Sequence, residues 1–100
     1  MITLINVFVV GPPNQQWLID LLVRATDEFV SRAPGFVSST LHRSLDGTKV
    51  TMYAQWNSIE DYDAMRRDPG PRSLLAEALT IAKFEPGVYE IVRRFSPDPG

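Results

Sequence analysis

Asn6, His42, Trp56 and Tyr62 are the side chains here whose chemistry could bind or act on a small ligand. An indole N–H donates a hydrogen bond, an amide both donates and accepts, and a phenol does either. His42 is the single histidine, and its near-neutral pKa suits it to taking a proton from a weak acid. Three of these residues fall within the segment HRSLDGTKVTMYAQWNSIEDY, from His42 to Tyr62. Any chemistry is therefore expected around one hairpin and the helix that follows it.

The elements that position them follow from pattern. Leu45-Asp46-Gly47 is turn chemistry, with Gly47 able to take a positive φ. Phe36 to Ser44 and Lys49 to Trp56 flank it as strands. In the second strand Val50, Met52, Ala54 and Trp56 alternate with Thr51, Tyr53 and Gln55, so the two sets face opposite ways. Asn57 or Ser58 can cap the next helix, Ile59 to Arg67, with Glu60 or Asp61 completing a capping box. Upstream, Thr3 to Val10 is an apolar strand closed by Gly11-Pro12-Pro13. Asn14 is placed to cap a helix from Gln15 to about Ala33, in which Leu18, Leu21, Leu22, Ala25 and Phe29 recur at the helical period until Pro34-Gly35 stops it. Asp68-Pro69-Gly70-Pro71 reads as a break, Arg72 to about Ala82 as a further helix, and Gly87 to Phe95 as the last strand. Residues 1–95 form a single domain on this reading, and 96–100 a loose tail.

The order β-α-β-β-α-β predicts an α+β, ferredoxin-like split βαβ fold: a four-stranded antiparallel sheet with its helices on one face. Thr3, Ile5, Val7, Val9, Tyr53 and Gln55 are expected on the other, open face. A half-apolar face of that size usually marks an interface, so a homodimer packed sheet against sheet is expected.

Composition narrows the function. The chain has no cysteine, which removes disulfides, thiolate metal sites and a cysteine nucleophile. A net charge of −2 with both signs scattered gives no basic stripe for nucleic acid. The apolar start is too short for a membrane span and lacks the basic flank of a signal peptide, so a cytoplasmic protein is expected. There is no Gly-rich nucleotide loop, no nucleophile elbow, and no spacing of His, Asp and Glu that suggests a metal site.

Along nearly its whole length the sequence resembles the antibiotic biosynthesis monooxygenase family of small dimeric α+β-barrel proteins. The blocks that carry the likeness are INVFVV, PGFVSSTLHRSLDGTKV and YAQWNSIEDY. The last two are similar to the branch that oxidises aromatic polyketides such as anthrones. That resemblance implies oxidation of a polycyclic phenol to a quinone by O₂, with no flavin, heme or metal. It places the family's site tryptophan on Trp56, its strand histidine on His42, its helix tyrosine on Tyr62 and its early asparagine on Asn6. Four positions before the tryptophan, where the family generally carries an asparagine, this chain has Met52, and Arg72 is the nearest match to a downstream family arginine. The heme-degrading relatives share the early asparagine and the tryptophan but need a histidine on the second helix, which Ile59 to Arg67 lacks.

Trp56, His42 and Asn6 are thus the candidate catalytic residues, with Tyr62, Met52, Phe36, Arg72 and Leu79 contacting substrate. Each also has a plain structural reading: Trp56 as core, Asn6 bonded to backbone, Tyr62 as packing. For His42 the hairpin decides. A three-residue loop with a bulge puts it on the face of Met52 and Trp56, whereas a loop of two or four residues turns it away. Two other functions would suit the same cavity: a non-oxidative polyketide cyclase or isomerase, and a non-catalytic dimeric binding protein.

Overall fold

The structure is a computed structural model in which residues 1–98 are described. Its strands are β1 (Ile2–Val10), β2 (Phe36–Arg43), β3 (Lys49–Trp56), β4 (Ala82–Glu85) and β5 (Val88–Tyr89). Its helices are α1 (Gln15–Glu28), α2 (Ile59–Arg67) and α3 (Pro69–Ala78). The sheet runs β2-β3-β1-β4, with β5 also beside β1, and the pairings are antiparallel. This is the α+β, ferredoxin-like arrangement that the element order predicts.

The alternation of β1 and β3 sets the layers. Leu4, Phe8 and Val10 of β1 join Val50, Ala54 and Trp56 of β3 on the helix-covered face. Against them pack Leu18, Leu21 and Ala25 of α1, Tyr62 of α2, and Leu74 and Ala78 of α3. Ile5, Val7, Val9, Tyr53 and Gln55 lie on the opposite face, half-buried, while Thr3, paired with Tyr89 of β5, is buried.

Several boundaries differ from the sequence expectation, each for a local reason. Asn14 makes no side-chain cap, because Pro12–Asn14 already form a 3-10 turn leading into α1. The next residue does the anchoring: the Gln15 side-chain amide donates to the carbonyls of Ser44 and Lys49, both at 3.0 Å, pinning the helix start to the hairpin. The first helix ends at Glu28 rather than Ala33. Val30–Arg32 tighten into a 3-10 turn, and Ala33, held extended by Pro34, has ψ 144°.

Asp68-Pro69-Gly70-Pro71 starts a helix instead of breaking one. The Asp68 carboxylate caps it by accepting from the Gly70 N–H at 3.3 Å, and Pro69 sits in the first turn, where no N–H is needed. That helix closes at Ala78, not Ala82. The last strand accordingly begins at Ala82, and Pro86-Gly87 split it into β4 and β5. Beyond Tyr89 the expected strand to Phe95 does not form; residues 90–98 carry no regular structure. The final two residues of the expected tail lie outside the described residues.

The hairpin turn is built around Asp46. Its carboxylate accepts from the Thr48 N–H at 3.0 Å and from the Thr48 and Ser44 hydroxyls at 2.7 and 2.8 Å. These bonds, the Thr48 backbone bond foremost, hold its pKa down at about 2. Gly47 takes the positive φ expected of it, at 82°.

Candidate functional site

Between the sheet and the helices lies an apolar cavity of about 110 Å³. Its floor comes from β1 and β3, where Asn6 pairs with Met52 in the ladder. Trp56 closes one end. It is only 1% exposed, with the Phe36 ring edge-on at 5.5 Å and the Tyr62 ring edge-on at 5.7 Å. Its place follows from sequence: it ends the central strand, opposite Ile2 on one side and Phe36 on the other. The chain then turns at once into α2, whose cap Ser58 accepts from the Asp61 N–H at 3.1 Å. That start brings Tyr62 back over the cavity.

Among the described residues, the indole N–H of Trp56 meets no acceptor, yet no buried side-chain nitrogen or oxygen is left unpaired. The N–H is therefore accessible rather than sealed in the core. It is a donor without a protein partner, on a residue that lines the cavity.

Asn6 is fully used. Its amide donates to the Tyr62 hydroxyl at 3.3 Å, and its carbonyl accepts from the Gly87 N–H at 3.3 Å. The second bond fills the gap that Pro86-Gly87 leave in the β1 ladder, where the Ile5 N–H donates to the Gly87 carbonyl at 3.0 Å. With its lone pair engaged by Asn6, the Tyr62 hydroxyl keeps its own proton to donate. Ser39, opposite Ala54 in the register, also lines the cavity, and its hydroxyl has no protein partner among the described residues. Thr26 lines it too but is spent on the Leu22 carbonyl at 2.8 Å.

Of the residues singled out from sequence, Trp56, Asn6, Tyr62, Met52 and Arg72 come together around this cavity. Three do not. His42 pairs with Thr51 and shares the open face of the sheet, exposed, with Nδ1 3.3 Å from the Thr51 carbonyl oxygen. The cause is the turn. The Ser44 N–H bonds the Lys49 carbonyl at 3.0 Å, leaving a four-residue loop, the register that turns His42 away. Leu41 takes the inward position beside Met52 instead. Phe36 stands behind Trp56 as its support rather than in the lining. Leu79 falls just past the end of α3, 45% exposed, in an outer groove rather than the cavity. Sequence reasoning passed over Ser39, Met65, Arg66 and Phe84, all of which line the cavity. Arg66 had a readable signal, since it lies one helical turn beyond Tyr62. No cluster of three or more His, Asp or Glu able to hold a metal exists among the described residues, nor is any helix there long and apolar enough to cross a membrane.

An antiparallel sheet with helices on one face is the fold that solved antibiotic biosynthesis monooxygenases share with this chain. The profile of that family matches residues 1–77, and the chain belongs to it. It is 39% identical over 95 residues to the tetracenomycin-F1 monooxygenase of Streptomyces glaucescens, covering 95% of this chain and 85% of that one. Among solved structures it is similar to the ActVA-Orf6 monooxygenase of Streptomyces coelicolor, determined in complex with nanaomycin D. The identity there is 28% and the TM-score 0.84, over 97% of this chain and 92% of that one. SnoaB, a cofactor-independent oxygenase of Streptomyces nogalater, superimposes with TM-score 0.81 at 25% identity over 97% of both chains. The chain is accordingly an enzyme of the oxidoreductase class.

Proposed function

We propose that this enzyme is a cofactor-independent monooxygenase of antibiotic biosynthesis that oxidises an anthrone-type polycyclic polyketide to a quinone with O₂. The carrying observation is the unpartnered indole N–H of Trp56, a residue that lines a mostly apolar cavity. In this reading the substrate supplies the electrons. Loss of a proton gives an electron-rich anion that reduces O₂. One oxygen atom becomes the new ring carbonyl, and the other leaves as water with the two hydrogens of the methylene. Trp56, Ser39 and Tyr62 offer donors to the anion, and a dry apolar wall strengthens each of those bonds. Met52 supplies a polarisable surface for flat rings in place of an amide.

The test is O₂ uptake with an anthrone, using protein freed of metal and flavin. Acceleration over buffer is expected, with quinone and water as products. A rate equal to buffer, or product formed equally well under argon, would remove the reading. In the same assay His42→Ala is expected to keep activity within about twofold of wild type, because its ring lies on the far face of the sheet. A large loss in that variant would assign His42 a role.

The working unit in this proposal is a homodimer formed through the open sheet face. The half-apolar row of Ile5, Val7, Val9 and Tyr53 supports it, as do Val92 and Phe95, 91% and 82% exposed in the segment after β5. Sedimentation at twice the mass of one chain is expected; a single-chain mass at micromolar concentration would sink this part.

A further inference from the structure

The sulfur around the cavity has no chemical part in the reaction above. The chain has no cysteine and three methionines, Met1, Met52 and Met65. Two of the three line the cavity, and both pack against the cluster that holds Trp56 and Tyr62. Met65 also borders an outer groove beside Phe29 and Asp68, whereas Met52 lines the cavity and not that groove. Met52 sits on the floor between Val50 and Ala54, both buried, and opposite Asn6 in the ladder. Ladder partners carry their side chains about 5 Å apart, and the Asn6 amide holds the Tyr62 hydroxyl at 3.3 Å. A soft, polarisable nucleophile thus stands near a proton donor, in the space where the proposed reaction reduces O₂.

We propose that Met52 is a modification site, oxidised to its sulfoxide by the hydroperoxide that O₂ forms on the bound substrate. The proposal rests on the function argued above and gives that site a way to switch itself off. On the productive path the hydroperoxide loses water and leaves a carbonyl. On the side path the Met52 sulfur attacks the outer peroxide oxygen. The O–O bond breaks, an S=O bond forms, and the sulfur is oxidised by two electrons. The inner oxygen stays on the ring carbon and takes a proton from the Tyr62 hydroxyl, which recovers one from the outer oxygen. The substrate leaves as an alcohol. A sulfoxide turns a flexible apolar side chain into a polar one. On this floor its oxygen draws the Tyr62 hydroxyl away from the substrate, and turnover falls.

The experiment has two arms, and the first needs no oxygenation. The protein is treated with cumene hydroperoxide, an aromatic peroxide, and mass spectrometry follows the gain of one oxygen atom at each methionine. Exposure alone favours Met1, which is 72% exposed. Met52 is instead expected to oxidise about tenfold faster than Met1, a modest share of what confinement beside a reactant can supply. Met1 reacting as fast as Met52, or Met65 reacting ahead of it, overturns the proposal. In the second arm anthrone is turned over under heavy-isotope O₂, with catalase present to clear free hydrogen peroxide. Met52 is expected to gain the heavy oxygen, and O₂ uptake to decay in step with the oxidised fraction. M52L, which keeps the side-chain volume, is expected to decay more slowly per turnover, whatever its starting rate. Uptake with no label on Met52, or a decay that M52L does not slow, overturns the proposal. So does undiminished uptake by protein whose Met52 is fully oxidised. No uptake at all sinks the oxygenase reading alone, and the first arm then decides whether Met52 is the peroxide's target.

Discussion

Trp56→Phe is expected to slow anthrone oxidation by about 100-fold, the usual cost of removing one donor to a developing anion. The phenyl ring keeps the edge-on contacts with Phe36 and Tyr62 that hold this end of the cavity. Only the N–H and part of the ring are lost, so the chain should stay folded at a cost of about 1–3 kcal/mol for the small void. The two effects are separable. Near-ultraviolet circular dichroism and melting report the packing, while kcat at saturating anthrone reports the donor. If kcat stays within about threefold of wild type, the indole is a wall and not a donor. Trp56→Ala is the less informative change, because it empties the site as well as disarming it.

Gly35→Ala is expected to destabilise the fold by about 3 kcal/mol, from a left-handed backbone and a forced overlap together. Gly35 has φ 87°, and a Cβ there would run into the whole side chain of Asp61, not merely its tip. The backbone around it cannot easily give, because the Gly35 carbonyl accepts from the Asn57 N–H at 2.8 Å. That bond ties the entry of β2 to the junction between Trp56 and α2. A melting temperature lower by roughly 12 °C or more is expected for a domain of this size. A shift of only one or two degrees would mean the junction is looser than its geometry implies. Activity should fall alongside, since Asp61 lies next to Tyr62 on the same helix start.

Much of the architecture could be read from residues whose signals are local. Period-two alternation in β1 and β3 puts Asn6, Met52 and Trp56 on one face, and the cap at Ser58 delivers Tyr62 to it. What failed depended on nonlocal terms. His42 turned on the length of one loop, which Leu45-Asp46-Gly47 alone does not determine, because Thr48 joins the turn through Asp46. Leu79 was expected inside because apolar spacing continues past Ala78, but the helix ends there, with the Thr80 hydroxyl bonding the Glu77 carbonyl at 2.7 Å. Asp68-Pro69-Gly70-Pro71 illustrates how one composition serves two ends. Proline and glycine punctuate, but an aspartate before a proline opens a helix as readily as it closes one. Ser39 and Phe84 carried no signal of their own, since their inward direction follows from strand register and from where β4 begins.

The bond from the Gly87 N–H to the Asn6 carbonyl makes the cavity and the chain's last segment share one hydrogen-bond acceptor. A guest that displaced the glycine from that oxygen would loosen the kink between β4 and β5. Proton exchange at Gly87 would then quicken with occupancy, giving an internal reporter that needs no dye and no turnover.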